Sequence, residues 1–222
     1  MFDPSIWKKL KRGPQIITLK DASLISGLTG LQSGDLVVDA GAGSGYLAAY
    51  LGSIVAPAGK VITYEIRPEF AELARKNIAR AGMDKFVELK EKDAFAGFDE
   101  HDADLITLDM AESERVLGHA KTSLRMGGWI VGYLPNVEQA GKFVAEAEKL
   151  KLRVERVTDA FLRDWKVRSY GSRPENTGLI FTAFLVFLRK ISEEEFDRAR
   201  EENTKSNRRD RRIRGKLDSQ SK

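Results

Sequence analysis

Apolar positions along the chain fall into two alternating patterns. Short continuous apolar runs read as buried strands, and segments with apolar residues three and four apart read as helices. The first helix carries Leu24, Ile25 and Leu28, with Asp21 as its predicted N-cap and Gly30 as its stop. Leu36–Ala40 is the first predicted strand, followed by a glycine loop and a helix to about Leu51. Val61–Glu65 is the second strand. Pro68 opens a helix that carries Phe70, Leu73, Ala74 and Ile78 and ends near Gly82. Val87–Leu89 and Leu105–Leu108 are further strands. Ser113–Leu124 reads as helix, and Gly127-Gly128 as a turn into the strand Trp129–Leu134. Val137–Leu150 is a helix, Leu152–Ala160 a strand, and Leu179–Leu188 a nearly all-apolar strand. Such a run is expected to be buried on both sides, with a partner subunit as a possible contributor to its cover. The alternation predicts an α/β domain: a mostly parallel, seven-stranded sheet with helices on both faces.

Length and charge bound this picture. The 222 residues suit one domain with a substantial core, and 42% hydrophobic with 32% charged residues is ordinary for a globular chain. The division expected is a basic arm at 1–12, the domain at 13–190, a polar helical segment at 191–203 and a basic tail at 204–222. The net charge of +4 is carried by the ends. Eight basic residues face two acidic ones between Thr204 and Lys222, and Lys8, Lys9, Lys11 and Arg12 cluster near the start. Such arms either contact phosphates or act as solvated, solubilising tails. No apolar run reaches a membrane span, and the start has no signal-peptide stretch, so the expected location is the cytoplasm. With no cysteine and two histidines, thiolate chemistry is excluded and no metal site is expected.

The loop Val37-Val38-Asp39-Ala40-Gly41-Ala42-Gly43-Ser44-Gly45 carries the first chemistry. A strand, a glycine-rich turn and a helix make a nucleotide cradle, because glycine permits the turn and lets a ligand approach the backbone. The spacing G-x-G-x-G differs from the G-x-G-x-x-G of dinucleotide binders. S-adenosylmethionine (SAM) has no pyrophosphate, and it fits this spacing. Loop N–H groups would hold its methionine part, and Asp39 its ammonium. Glu65, at the end of the second strand, would accept from the ribose hydroxyls. Asp93, after the third, would accept from the adenine amine. Three acidic residues at the carboxyl ends of successive strands match the crevice where such sheets bind ligands. A nucleotide-sugar or NAD enzyme is the competing reading.

Further motifs resemble those of the tRNA adenine-58 N1-methyltransferases of bacteria and archaea, from about Gly13 to Lys190. They are Gln15-Ile16-Ile17 with Lys20-Asp21-Ala22, the glycine loop, Tyr64-Glu65-Ile66-Arg67-Pro68-Glu69-Phe70, Leu108-Asp109, Tyr133-Leu134-Pro135-Asn136 with Gln139, Arg163-Asp164-Trp165 with Arg168, and Arg173-Pro174. The resemblance implies a class I SAM-dependent methyltransferase with a Rossmann-like fold, a tRNA substrate and a homo-oligomer, a tetramer or a dimer. It adds Gln15, Ser44, Ile66, Ala94 and Asp109 to the cofactor set of Asp39, Gly41, Gly43, Gly45, Glu65 and Asp93. It also makes Asp109 the active-site carboxylate. Adenine N1 has a lone pair and needs no base; a carboxylate accepting from the N6 amine would orient the ring and stabilise its developing positive charge. N1 is hidden in a paired base, so the nucleotide must be extruded. Tyr133 and Trp165 would receive it, with Gln139 beside them. Arg163, Arg168 and Arg173 would hold phosphates.

The chain also departs from the family pattern. Only about a dozen residues precede Gly13, where the family usually carries a small β-rich domain. Thr18-Leu19 stands for the usual Tyr-Pro, Ile180-Phe181-Thr182 for Gly-His-Thr, and Asp109-Met110-Ala111 for Asp-Leu-Pro or Asp-Leu-Met. Methylation of a protein or a small molecule, or a non-catalytic tRNA-binding subunit, therefore stays open at this point.

Overall fold

The computed structural model describes residues 9–13, 16–176 and 181–202. Gln15, Leu179-Ile180, the basic tail and most of the N-terminal arm lie outside these residues.

Among the described residues, seven strands form one sheet. They are β1 (Leu36–Ala40), β2 (Lys60–Tyr64), β3 (Val87–Lys90), β4 (Ala103–Leu108), β5 (Leu124–Leu134), β6 (Leu152–Thr158) and, after a small ribbon of β7 (Trp165–Lys166) and β8 (Arg173–Pro174), β9 (Phe184–Lys190). The order is β3-β2-β1-β4-β5-β9-β6. β1 to β5 pair in parallel, and β9 runs antiparallel between β5 and β6. Helices between and beside the strands are α1 (Leu19–Thr29), α2 (Tyr46–Val55), α3 (Pro68–Arg80), α4 (Leu117–Ser123) and α5 (Val137–Lys149). The chain is helical again at 193–202.

Burial follows the sheet's two faces. One cluster joins Ile25, Leu47, Leu51, Ala74 and Ile78 of α1–α3 to Val37, Val61, Leu105, Val131, Leu185 and Phe187. The other joins Leu117, Ala120, Phe143 and Ala147 of α4 and α5 to Val38, Ile62, Ile106, Ile130, Val186 and Leu188. Neighbouring strand residues point to opposite faces, so apolar runs are what a sheet covered on both sides requires.

Several boundaries differ from expectation; β6 ends at Thr158 and not at Ala160, and α2 runs on to Val55. Thr18, not Asp21, caps α1, and Asp21 lies in the first turn. Ser113–Val116 is a 3-10 turn before α4, not a continuous helix with it. Gly127-Gly128 is not a turn; β5 starts at Leu124 and runs through it, with an irregular register against β4. The last strand starts at Phe184 and not at 179, and Phe181 is 38% exposed.

Candidate active site

Parallel pairing brings the carboxyl ends of β1, β2, β4 and β5 to one edge of the sheet. The glycine loop leaves β1 there. Gly41 adopts φ +95, and a Cβ on it would lie 2.0 Å from the Asp109 carbonyl oxygen. No side chain fits. Gly43 adopts φ +52, yet a Cβ there would meet nothing closer than 3.9 Å. The loop is thus crowded from beneath at Gly41 and open at Gly43. Gly45 is the N-cap of α2 and packs on Ala74 of α3.

The loop amides have internal partners. Gly41 and Ala42 both donate to the Tyr64 carbonyl at 3.0 Å, and Gly45 donates to the Ala42 carbonyl at 2.7 Å. Gly43 donates to Glu65 Oε2 at 2.9 Å. Glu65 Oε1 accepts from the Arg67 backbone at 3.1 Å and from Arg67 Nε at 3.2 Å. Glu65 is therefore a buried brace between the loop and the start of α3. Ile66 beside it is 61% exposed. Asp93 accepts from the Phe95 N–H at 2.9 Å and caps a 3-10 turn whose Ala94 is buried.

Asp39 lies in register with Thr63 and Thr107 on the two flanking strands. Its oxygens accept from Thr63 Oγ1 at 2.7 Å and Thr107 Oγ1 at 2.6 Å. Burial raises its pKa, against the pull of the two hydroxyls. Asp109 follows β4, with its N–H on the Ala40 carbonyl at 2.9 Å. Burial, with the negative charge of Asp39 as a lesser cause, pushes its pKa up to about 7.

Asp109 opens into a cavity of about 350 Å³, together with Arg67, Phe70, Met110, Tyr133, Pro135 and Gln139. Three predicted residues, Asp109, Tyr133 and Gln139, meet here. The N–H of Gln139 is held by the Asn136 side chain at 2.9 Å, which caps α5 and fixes that residue at the rim. Burial, and next the charge of Asp21, raises the Tyr133 pKa. Arg67 and Phe70 were given no role by sequence reasoning. They stack, with the guanidinium 4.0 Å from the ring centroid. Their signal was their place, one turn past a strand-ending carboxylate at the start of a helix.

The structure does not bring Arg163, Trp165, Arg168 or Arg173 to this cavity. Trp165 pairs with Pro174 on the β7–β8 ribbon and is 59% exposed. Arg163 stacks on Phe161, and Arg168 on Tyr170, to which it also donates at 2.8 Å. The ribbon presents aromatic and guanidinium planes outward.

The family described as the tRNA methyltransferase complex GCD14 subunit matches residues 2–220. The chain belongs to this family. It is 34% identical over 227 residues to the tRNA (adenine(57)-N(1)/adenine(58)-N(1))-methyltransferase TrmI of Methanocaldococcus jannaschii, covering 90% of this chain and 79% of that one. Among solved structures, a SAM-dependent O-methyltransferase from Thermotoga maritima superposes with a TM-score of 0.81 at 31% identity, over 86% of this chain and 72% of the other. The tRNA (m1A58) methyltransferase TrmI of Aquifex aeolicus gives 0.77 at 29% identity, over 84% and 74%. The expected class I methyltransferase fold is therefore borne out, and with it the tRNA methyltransferase family. Among the described residues, no helix is long and apolar enough to cross a membrane.

Proposed function

We propose that this chain transfers the methyl group of SAM to N1 of adenine in tRNA, at position 58. The observation that carries the reading is the cavity floored by Asp109, which opens beside the glycine loop at the carboxyl edge of the sheet. Family membership and the printed functions of the TrmI relatives support the same acceptor.

The residues present suit SAM. Open space above Gly43 leaves room for a ligand against the backbone. Glu65 and Asp93 offer carboxylates to a ligand that carries hydroxyls, amines and positive charge. Exposed Ile66 offers an apolar surface to a flat ring. The loop amides at 41, 42, 43 and 45 are already engaged, so the loop contributes shape and close approach more than N–H donors. Asp39 acts mainly as a strut that orders the loop through Thr63 and Thr107. When bound, SAM supplies an electrophilic methyl on a sulfonium.

This chain's residues then act on the base. Tyr133 and Phe70 wall the cavity that takes the extruded adenine. Asp109, ionised, accepts from the N6 amine, orients N1 and stabilises the ring's growing positive charge. Arg163, Arg168 and Arg173 hold phosphates on the outer ribbon, with Trp165 and Tyr170 as stacking planes. A test uses two unmodified tRNA transcripts, one with adenine and one with guanine at position 58, incubated with labelled SAM. Label in the first alone supports the reading. Equal label in both, or label in neither while a protein or small molecule takes it up, overturns it.

A further inference from the structure

Lys20 lies outside the cavity, yet it joins three separate segments around it. An ammonium has three N–H donors. Those of Lys20 reach Asp21 Oδ1 at 2.5 Å in α1, the Ala160 carbonyl at 2.7 Å just past β6, and Thr182 Oγ1 at 3.1 Å just before β9. Every donor has an acceptor, and each acceptor belongs to a different segment. The side chains of Lys20 and Asp21 are only 16% and 1% exposed. The pair is shielded from water, where charge-assisted hydrogen bonds are strong and directional.

The network reaches the cavity wall. The other oxygen of Asp21 accepts from Thr18 Oγ1 at 2.9 Å and from the Tyr133 hydroxyl at 3.4 Å. Asp21 thus accepts from both Lys20 and Tyr133, and Lys20 reaches on to Thr182. Tyr133 is the member that lines the cavity together with Asp109.

Ala160 and Thr182 are also where the exposed excursion leaves the sheet and returns to it. That excursion carries Phe161, Leu162, Trp165, Val167 and Tyr170, each 47% to 80% exposed, interleaved with Arg163, Arg168 and Arg173. A buried ion pair adds little net stability compared with apolar packing, but it can fix one register.

We propose that Lys20 is a positioning residue: it clamps both ends of the aromatic–arginine excursion to the Tyr133 wall, so that RNA held on the excursion meets the Asp109 cavity in one register. This rests on the tRNA reading above.

The test uses the full chain with Lys20→Met, Thr182→Val and, as a conservative rescue, Lys20→Arg. Three readouts are taken: tryptic cleavage at Arg163, Lys166 and Arg168, KM and kcat for unmodified tRNA, and the Kd for SAM. With the clamp lost, Lys20→Met should be cleaved roughly tenfold faster and show a roughly tenfold higher KM for tRNA, with SAM affinity within about twofold. Thr182→Val should move the same way by about threefold, and Lys20→Arg should recover part of the loss. Thr182→Val strands no charge, so it decides the matter if Lys20→Met fails to fold. Unchanged cleavage and KM in both variants would overturn the clamp. So would a parallel loss of SAM and tRNA affinity in both, which marks general unfolding. If the wild-type chain methylates no tRNA, the acceptor assignment fails, and the cleavage rates still decide the clamp on their own.

Discussion

Asp109 is the residue on which the chemistry turns, and its environment makes two demands on it. Burial and Asp39 hold its carboxyl near pH 7, whereas orienting the amine needs the ionised form. Methyl transfer, followed as kcat/KM against pH, should therefore rise through about pH 7 and level off above it. The sign for stability is the reverse. A raised folded pKa means that ionising Asp109 costs the folded state, so its contribution is unfavourable above the unfolded value near 3.8 and reaches its full size above about 7. Asp109→Asn should lower turnover by about a hundredfold or more, keep SAM affinity near normal, and raise the melting temperature more at pH 8 than at pH 5. Melting curves of the SAM-free protein at the two pH values check this. The role of Asp109 was suggested by its place after an apolar strand. Its shifted acidity was not legible, because that depends on Asp39, seventy positions earlier and adjacent only through pairing of β1 with β4.

At the scale of elements, the glycine loop separates two effects that look alike in sequence. Gly41→Ala drives a methyl into the Asp109 carbonyl in a strained backbone. It should cost more than about 2 kcal/mol of stability, seen as a lowered urea midpoint. Gly43→Ala meets open space and strain alone. It should cost about 1 kcal/mol while weakening SAM binding by calorimetry far more than it weakens the fold. Asn77 of α3 makes a third contact of this kind. Its buried amide donates to Lys11 and Ser44 carbonyls at 2.8 Å and accepts from Lys11 N–H at 3.0 Å, stitching the chain's early segment over the loop. The strands and most helices were readable because a sheet covered on both faces needs continuous apolar runs. The exceptions have physical causes. Thr18 and Asp21 are both capping types, and only tertiary contacts assign Asp21 to Lys20 and Tyr133. Gly127-Gly128 reads as a turn, yet β5 passes through it as a register irregularity. An all-apolar run gives no alternation to mark where pairing of the last strand starts.

Over the whole molecule, the donor half and the acceptor half differ in how they are built. The segment proposed to hold the donor is local: a loop, two strand ends and two helix starts, all within residues 36–96. The acceptor half is assembled from distant parts. Tyr133 and Gln139 reach the cavity on β5 and α5, while Trp165 and Arg173 stand on the β7–β8 ribbon and Arg163 and Arg168 in the loops beside it, a placement no spacing rule gives. The basic stretch Thr204–Lys222 lies outside the described residues. If it grips phosphates, its deletion should weaken tRNA binding and flatten the dependence of affinity on salt, measured from 50 to 200 mM. Unaltered binding would leave it as a solubilising tail. The most direct measurement of the central claim is chemical. Unmodified tRNA is incubated with this chain and SAM, digested to nucleosides and separated by chromatography with mass detection. The prediction is N1-methyladenosine, formed by the wild type and nearly absent with Asp109→Asn. Methylation of a different nucleoside, or none in RNA while another class of molecule is methylated, would contradict it.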